Sequence, residues 1–223
     1  YGEEPSGLQE RIGEMGNKFL DKEFPDLDSI KRAVFIAEIV DMDAVAKQKH
    51  EEQLQVLKER ASGNITLGVS ERAPDVFKAK FECSMGAFVV ECTRDWSPNG
   101  ADRFYTLVKN GFYDGTKFFR VVPNYIAQFG LPAKADITGK WLTSYIEDDP
   151  FKVSNTQGTL SFAKSERPNM RATQIFINYA DNTALEERGF TPFTKVVEGI
   201  DVVNQINSEY GEKPNQTSLR GRG

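Results

Sequence analysis

The hydrophobic positions of this chain change period several times, and each change marks an element. Near the start, Leu8, Ile12, Met15 and Phe19 recur at helical spacing until Phe24-Pro25 breaks the pattern, which predicts a modest amphipathic helix weakened by Gly13 and Gly16. Over 29–40 the texture turns β-branched and aromatic, with Ile30, Val34, Phe35, Ile36, Ile39 and Val40, and predicts a strand. Residues 41–61 scatter Val45, Leu54 and Leu57 among charges without Gly or Pro, as in a solvated spacer helix. From Val76 the period becomes two. Phe77, Ala79, Phe81 and Cys83 alternate with Lys78, Lys80 and Glu82, and Phe88, Val90 and Cys92 answer them across a turn at 84–87. If Cys83 sits opposite Phe88, Cys92 sits opposite Ala79 and the sulfurs do not meet, so free thiols are expected.

Ser97-Pro98 supplies a cap and a first-turn proline for a helix with Phe104, Leu107 and Val108 inward, ended by Asn110-Gly111. In the stretch 118–130, period two puts Phe118, Arg120 and Val122 on one face and Phe119 and Val121 on the other. Pro123 and Asn124 make a turn, after which Tyr125, Ile126 and Gln128 resume an extended run. Residues 132–155 form an ordered surface loop with isolated Trp141, Tyr145 and Phe151. Short strands follow at 159–163, 174–178 and 193–197, and Ile200, Val203 and Ile206 mark a final helix. Many short strands with two helices predict a mainly β chain, a closed antiparallel barrel capped at its ends.

Composition narrows what such a barrel does. A hydrophobic content of 39% with 16 Phe supports a substantial aromatic core in 223 residues. A net charge of −5 argues against a general nucleic-acid binder, and no apolar run is long enough to span a bilayer, so no nucleic-acid or membrane partner is expected. The single histidine, His50, lies in a charged stretch; a multi-histidine metal site is excluded and a His-based triad disfavoured, so no metal or cofactor is expected. Two cysteines leave the compartment open. Starting at Tyr1 without a signal-like segment, the chain reads as a soluble piece of something longer or a processed product. Tyr1-Gly2-Glu3-Glu4-Pro5 recurs as Tyr210-Gly211-Glu212-Lys213-Pro214, which suggests that a segment belonging after the last helix stands at the front.

The chemistry-bearing residue is Arg120, a permanently charged guanidinium among apolar neighbours with the amide of Gln128 nearby. The blocks 118–130, 158–163, 174–177 and 193–196 together resemble the cyclophilins in order and spacing, over roughly 75–210. The resemblance implies an eight-stranded barrel with two capping helices and peptidyl-prolyl cis-trans isomerase activity. It implies a catalytic Arg120 with Gln128 beside it, and a substrate groove of Tyr125, Ile126, Ala163, Lys164, Gln174, Phe176, Leu185 and Phe190. Its expected partners are proline-containing peptides and unfolded or flexible protein clients. The family's indole is replaced by Ala184, so weak cyclosporin binding is expected; Phe129 and Lys164 depart from the common pattern and bear on peptide preference.

In this light, 1–40 is a helix and barrel-closing strand of tail-like character, 41–72 a charged helical spacer, 73–210 the barrel and 211–223 a truncated tail. The front strand should pair antiparallel with 76–83, within its own chain or by strand exchange with a neighbouring copy. The residues suit the reaction on physical grounds also. Rotation about an X-Pro bond breaks no covalent bond, so it needs no nucleophile or base, only an apolar grip on the ring and a donor favouring the twisted amide.

Overall fold

The computed structural model describes residues 15–36, 70–133, 141 and 143–211. The first part of the expected N-terminal helix, the strand's continuation to Val40 and the spacer helix lie outside these described residues.

Among the described residues, eight strands form where the alternating runs lie: β1 (Ile30–Ile36), β2 (Val76–Cys83), β3 (Gly86–Thr93), β4 (Arg120–Val122), β5 (Ile126–Phe129), β6 (Thr159–Phe162), β7 (Ile175–Asn178) and β8 (Pro192–Glu198). They make one curled antiparallel sheet in the order β1-β2-β3-β8-β6-β7-β5-β4. The ladder is open between β1 and β4, rather than closed throughout as the sequence suggests. Those edges meet in a short seam: Ser29 bridges Lys117, Ile30 N–H donates to the Thr116 carbonyl at 2.7 Å, and Phe118 N–H to that of Asp28 at 3.0 Å. With only three residues, β4 is too short to carry a full ladder on both sides.

The front strand β1 pairs antiparallel with β2 inside the same chain, Ala33 opposite Phe81 and Phe35 opposite Ala79. The β2–β3 register differs by two residues from the sequence expectation, with Phe81 opposite Phe88, Cys83 opposite Gly86 and Cys92 opposite Phe77. The turn is the pair Ser84-Met85, and Gly86 is already in the strand at a φ of 140°, where side chains are strained. Both thiols are free and buried; burial first, then the Asp28 charge, pushes Cys83 up to about 12.

Helix α1 (Asn17–Glu23) starts after Gly16, whose φ is 59°. α2 (Pro98–Lys109) packs its buried Phe104, Leu107 and Val108 toward the sheet, against β1 and β8, and the single turn α3 (Ile200–Val203) packs on β3. Ser97 stands at the α2 N-cap, but its hydroxyl donates to Asp149 instead of bonding the helix. Asp149, from the long loop, accepts the Asn99 and Gly100 N–H groups, each at 3.0 Å, and so caps α2 from outside its sequence. Trp141 from that loop is buried beneath Arg103, whose guanidinium lies 5.2 Å from its ring centre, while Tyr145 and Phe151 are exposed.

One core fills the concave side of the sheet, dominated by Phe81, Phe88, Phe104, Phe118, Phe129, Phe162 and Phe193. A second gathers Phe19, Leu20, Phe24 and Leu27 from the N-terminal segment with Phe119 and Leu131, packed against Tyr210. Phe24 and Tyr210 meet edge to face at 5.4 Å, and Asn207 N–H donates to Asp28 at 2.6 Å. Phe24→Ala is expected to cost about 3 kcal/mol in urea unfolding, because the cavity opens between segments nearly two hundred residues apart that cannot collapse together.

Candidate active site

Arg120 and Gln128 are direct partners in the β4–β5 ladder, Gln128 is opposite Phe176 in β7, and Phe176 is opposite Ser161 in β6. Side chains at paired positions share a face, so this row places guanidinium, amide and aromatic ring side by side. The alternation follows from β7: Ile175 and Ile177 enter the main core, which turns Phe176 the other way. In β4 the expected pattern fails in one respect, since Phe118 shares the core with Val121 rather than a face with Arg120. The strand begins only at Arg120, so the two residues before it do not keep its period.

Around this row lies a hollow of about 120 Å³ lined by Arg120, Tyr125, Ile126, Gln128, Ala163, Lys164, Phe176, Leu185, Arg188 and Phe190. Ile126, Phe176, Leu185 and Phe190 form a separate apolar cluster, with Tyr125 and Ala163 packed against it and the Phe176 and Phe190 rings edge to face at 5.6 Å. The hollow therefore has a hydrocarbon floor.

Its polar side is a relay. The Arg120 guanidinium donates to Gln128 Oε1 at 3.1 Å and lies 5.8 Å from the Tyr125 ring centre. Gln128, only 1% exposed, donates in turn through Nε2 to Gln174 Oε1 at 2.9 Å. A buried amide satisfied on both sides has one orientation, and it fixes one arm of the arginine fork. Gln174 stands behind Gln128 and does not line the hollow. Phe129, expected to influence the groove, instead packs in the main core 5.0 Å from Phe118, because alternation from Gln128 turns it inward.

Sequence reasoning missed Arg188. It lies three residues after Leu185 and two before Phe190, both already candidates, and its guanidinium sits 5.4 Å from the Phe190 ring centre. Loops do not announce which of their charges turn inward; its place between two groove residues was the available signal. Among the described residues no His, Cys, Asp and Glu cluster could hold a metal.

The family model described as cyclophilin type peptidyl-prolyl cis-trans isomerase/CLD matches residues 78–220, well over half of the chain. The chain belongs to the cyclophilins. A peptidyl-prolyl cis-trans isomerase of Acinetobacter baylyi is 34% identical over 145 residues, 61% of this chain and 77% of the relative. Peptidyl-prolyl cis-trans isomerase B of Escherichia coli is 30% identical over 134 residues, 56% of this chain and 81% of the relative. A Cryptosporidium parvum cyclophilin crystallised in the presence of the dipeptide Ala-Pro superposes with a TM-score of 0.52 at 26% identity, over 63% of this chain and 90% of that one. As a cyclophilin, the chain is in an enzyme class that catalyses peptidyl-prolyl isomerisation; its β1 segment lies upstream of the family match.

Proposed function

We propose that this cyclophilin isomerises X-Pro bonds in exposed segments of protein clients, with the proline ring held on Phe176, Ile126, Leu185 and Phe190 and Arg120 as the donor. The observation that carries the reading is the Arg120–Gln128–Gln174 relay beside that apolar floor. The barrier of about 18–20 kcal/mol comes from amide resonance, which is lost when the bond twists and the proline nitrogen regains its lone pair. A fixed guanidinium that bonds the nitrogen in that state, and less so in the planar ones, lowers the barrier without any proton leaving or arriving. A thousandfold acceleration needs about 4 kcal/mol, within reach of one oriented charged donor and a grip that excludes water. Ala163 leaves room for the peptide chain, and Tyr125 flanks the arginine. Exchange NMR on an Ala-Pro peptide tests the reading: catalysed interconversion supports it, and saturable binding without faster exchange favours a proline-peptide docking module.

Cyclosporin binding is expected to be weak. The 3₁₀ turn Thr183–Leu185 puts the exposed methyl of Ala184 beside the groove, where an indole would offer far more area and a donor. Inhibition is expected only in the micromolar range or above; a nanomolar constant in an activity titration contradicts this assignment.

The N-terminal segment reads as a relocated tail. Support comes from β1 on β2 and from the contacts of Phe24, Asp26 and Asp28 with Asn207 and Tyr210, which join the segment before β1 to the segment after α3, where a continuous tail would run.

A further inference from the structure

We propose that Lys164 and Arg188 make the groove select proline segments flanked by an acidic side chain, an inference that rests on the isomerase site proposed above. Of the ten residues lining the hollow, three are cations, Arg120, Lys164 and Arg188, and none is a carboxylate. This concentration of positive charge runs against a chain whose net charge is −5.

The three cations are not equivalent. Arg120 is held by Gln128 and Tyr125, whereas Lys164 and Arg188 both stand at the Gly189–Phe190 corner. A Cβ at Gly189 would lie 3.3 Å from Lys164 Nζ, which places the ammonium against that backbone. The Arg188 guanidinium covers the Phe190 ring. With a proline on Phe176 and Leu185, a neighbouring side chain of the peptide meets this corner.

Lys164 is 8% exposed and its partner is Asp148, at 3.2 Å. That carboxylate is shared. Its other oxygen faces Arg171 Nε at 3.3 Å, and the oxygen that meets Lys164 also accepts the Asn169 N–H at 3.0 Å. The second carboxylate of the network, Asp149, is committed to Arg171, Ser97 and the α2 terminus. Both carboxylates of this network lie outside the lining of the hollow, so an entering anion meets the Lys164 ammonium and the Arg188 guanidinium before either of them. In a low-dielectric hollow, field from such a pair is focused on what enters.

The test uses three peptides identical except for Glu, Gln or Lys on both sides of one Ala-Pro dipeptide, with Kd by titration and kcat/KM by exchange NMR. The Glu peptide is expected to exceed the Lys peptide about tenfold in both at low salt, the ratio shrinking toward one in about 0.5 M NaCl. Arg188→Glu, at an exposed side chain, should abolish or reverse the ranking, and Lys164→Gln should reduce it. Equal constants for all three peptides overturn the preference even when the Gln peptide is isomerised normally. Peptides that bind in the order Glu, Gln, Lys without catalysed exchange uphold the preference and remove the isomerase reading instead.

Discussion

Arg120→Ala is expected to lower kcat/KM for an Ala-Pro peptide about 100- to 1000-fold, a loss of about 3–4 kcal/mol of transition-state stabilisation, with the folded circular dichroism spectrum retained. Arg120 is half-buried at the end of the sheet order, so its truncation removes little packing from the main core. What disappears is the donor aimed into the hollow. Binding of the planar substrate should change much less, because the apolar cluster that holds the ring is intact. Arg120→Lys should recover only part of the loss. An ammonium keeps the charge but cannot bond Gln128 with one arm and reach the substrate with another in a fixed plane. Gln128→Ala should fall between the two, since the arginine stays but its orientation is released. Equal rates for wild type and Arg120→Ala would remove this residue from the mechanism and leave a docking groove.

Much of this site was legible in the sequence because it lies on strands. Period two separates Phe176 from Ile175 and Ile177 without any coordinates, and the same alternation places Gln128 beside Arg120 once the two strands are adjacent. Where regular pairing stops, so does the inference. Phe118 escapes the alternation because β4 starts two residues later, whereas Phe129 obeys it: one position after Gln128 it turns to the core, and its expected bearing on the groove came from the resemblance. The hairpin register was misjudged by two residues because turn length, not hydrophobic pattern, decides which cross-strand pairs form; a shift of two keeps every side chain on its face. Arg188 sits in a loop, where spacing carries no direction. The cap of α2 was invisible for another reason. Ser97 has the chemistry of a cap, and nothing local reveals that a carboxylate some fifty residues away takes its place.

That carboxylate carries the largest stability effect expected. Asp149→Ala should cost about 3–5 kcal/mol, read as a fall in melting temperature of about 6–20 °C, because the side chain is 3% exposed and its partner Arg171 only 1%. Truncation leaves the Arg171 charge buried without the 2.9 Å contact, and it strips the Asn99 and Gly100 N–H groups of their acceptor. Arg171 keeps its bond to the Glu147 carbonyl and its 3.3 Å contact with Asp148, a carboxylate that also serves Lys164 and so answers the Arg171 charge only in part. The charge rather than the volume is at issue, so Asp149→Leu paired with Arg171→Met should cost less than the sum of the two single changes. The same balance sets a pH dependence. Burial alone would raise the Asp149 pKa; the Ser97 hydroxyl, the two helix N–H groups and the Arg171 charge outweigh it and hold the carboxyl below its ordinary value. A group whose folded pKa is depressed contributes stability that is complete above the unfolded value and is lost as pH falls through the folded one. Between pH 7 and about pH 5 this contribution should therefore be flat, and below about pH 4 the wild type should lose stability faster than Asp149→Ala does. Parallel acid unfolding curves for the two proteins would show that the cap and ion pair do not act through this carboxylate's charge.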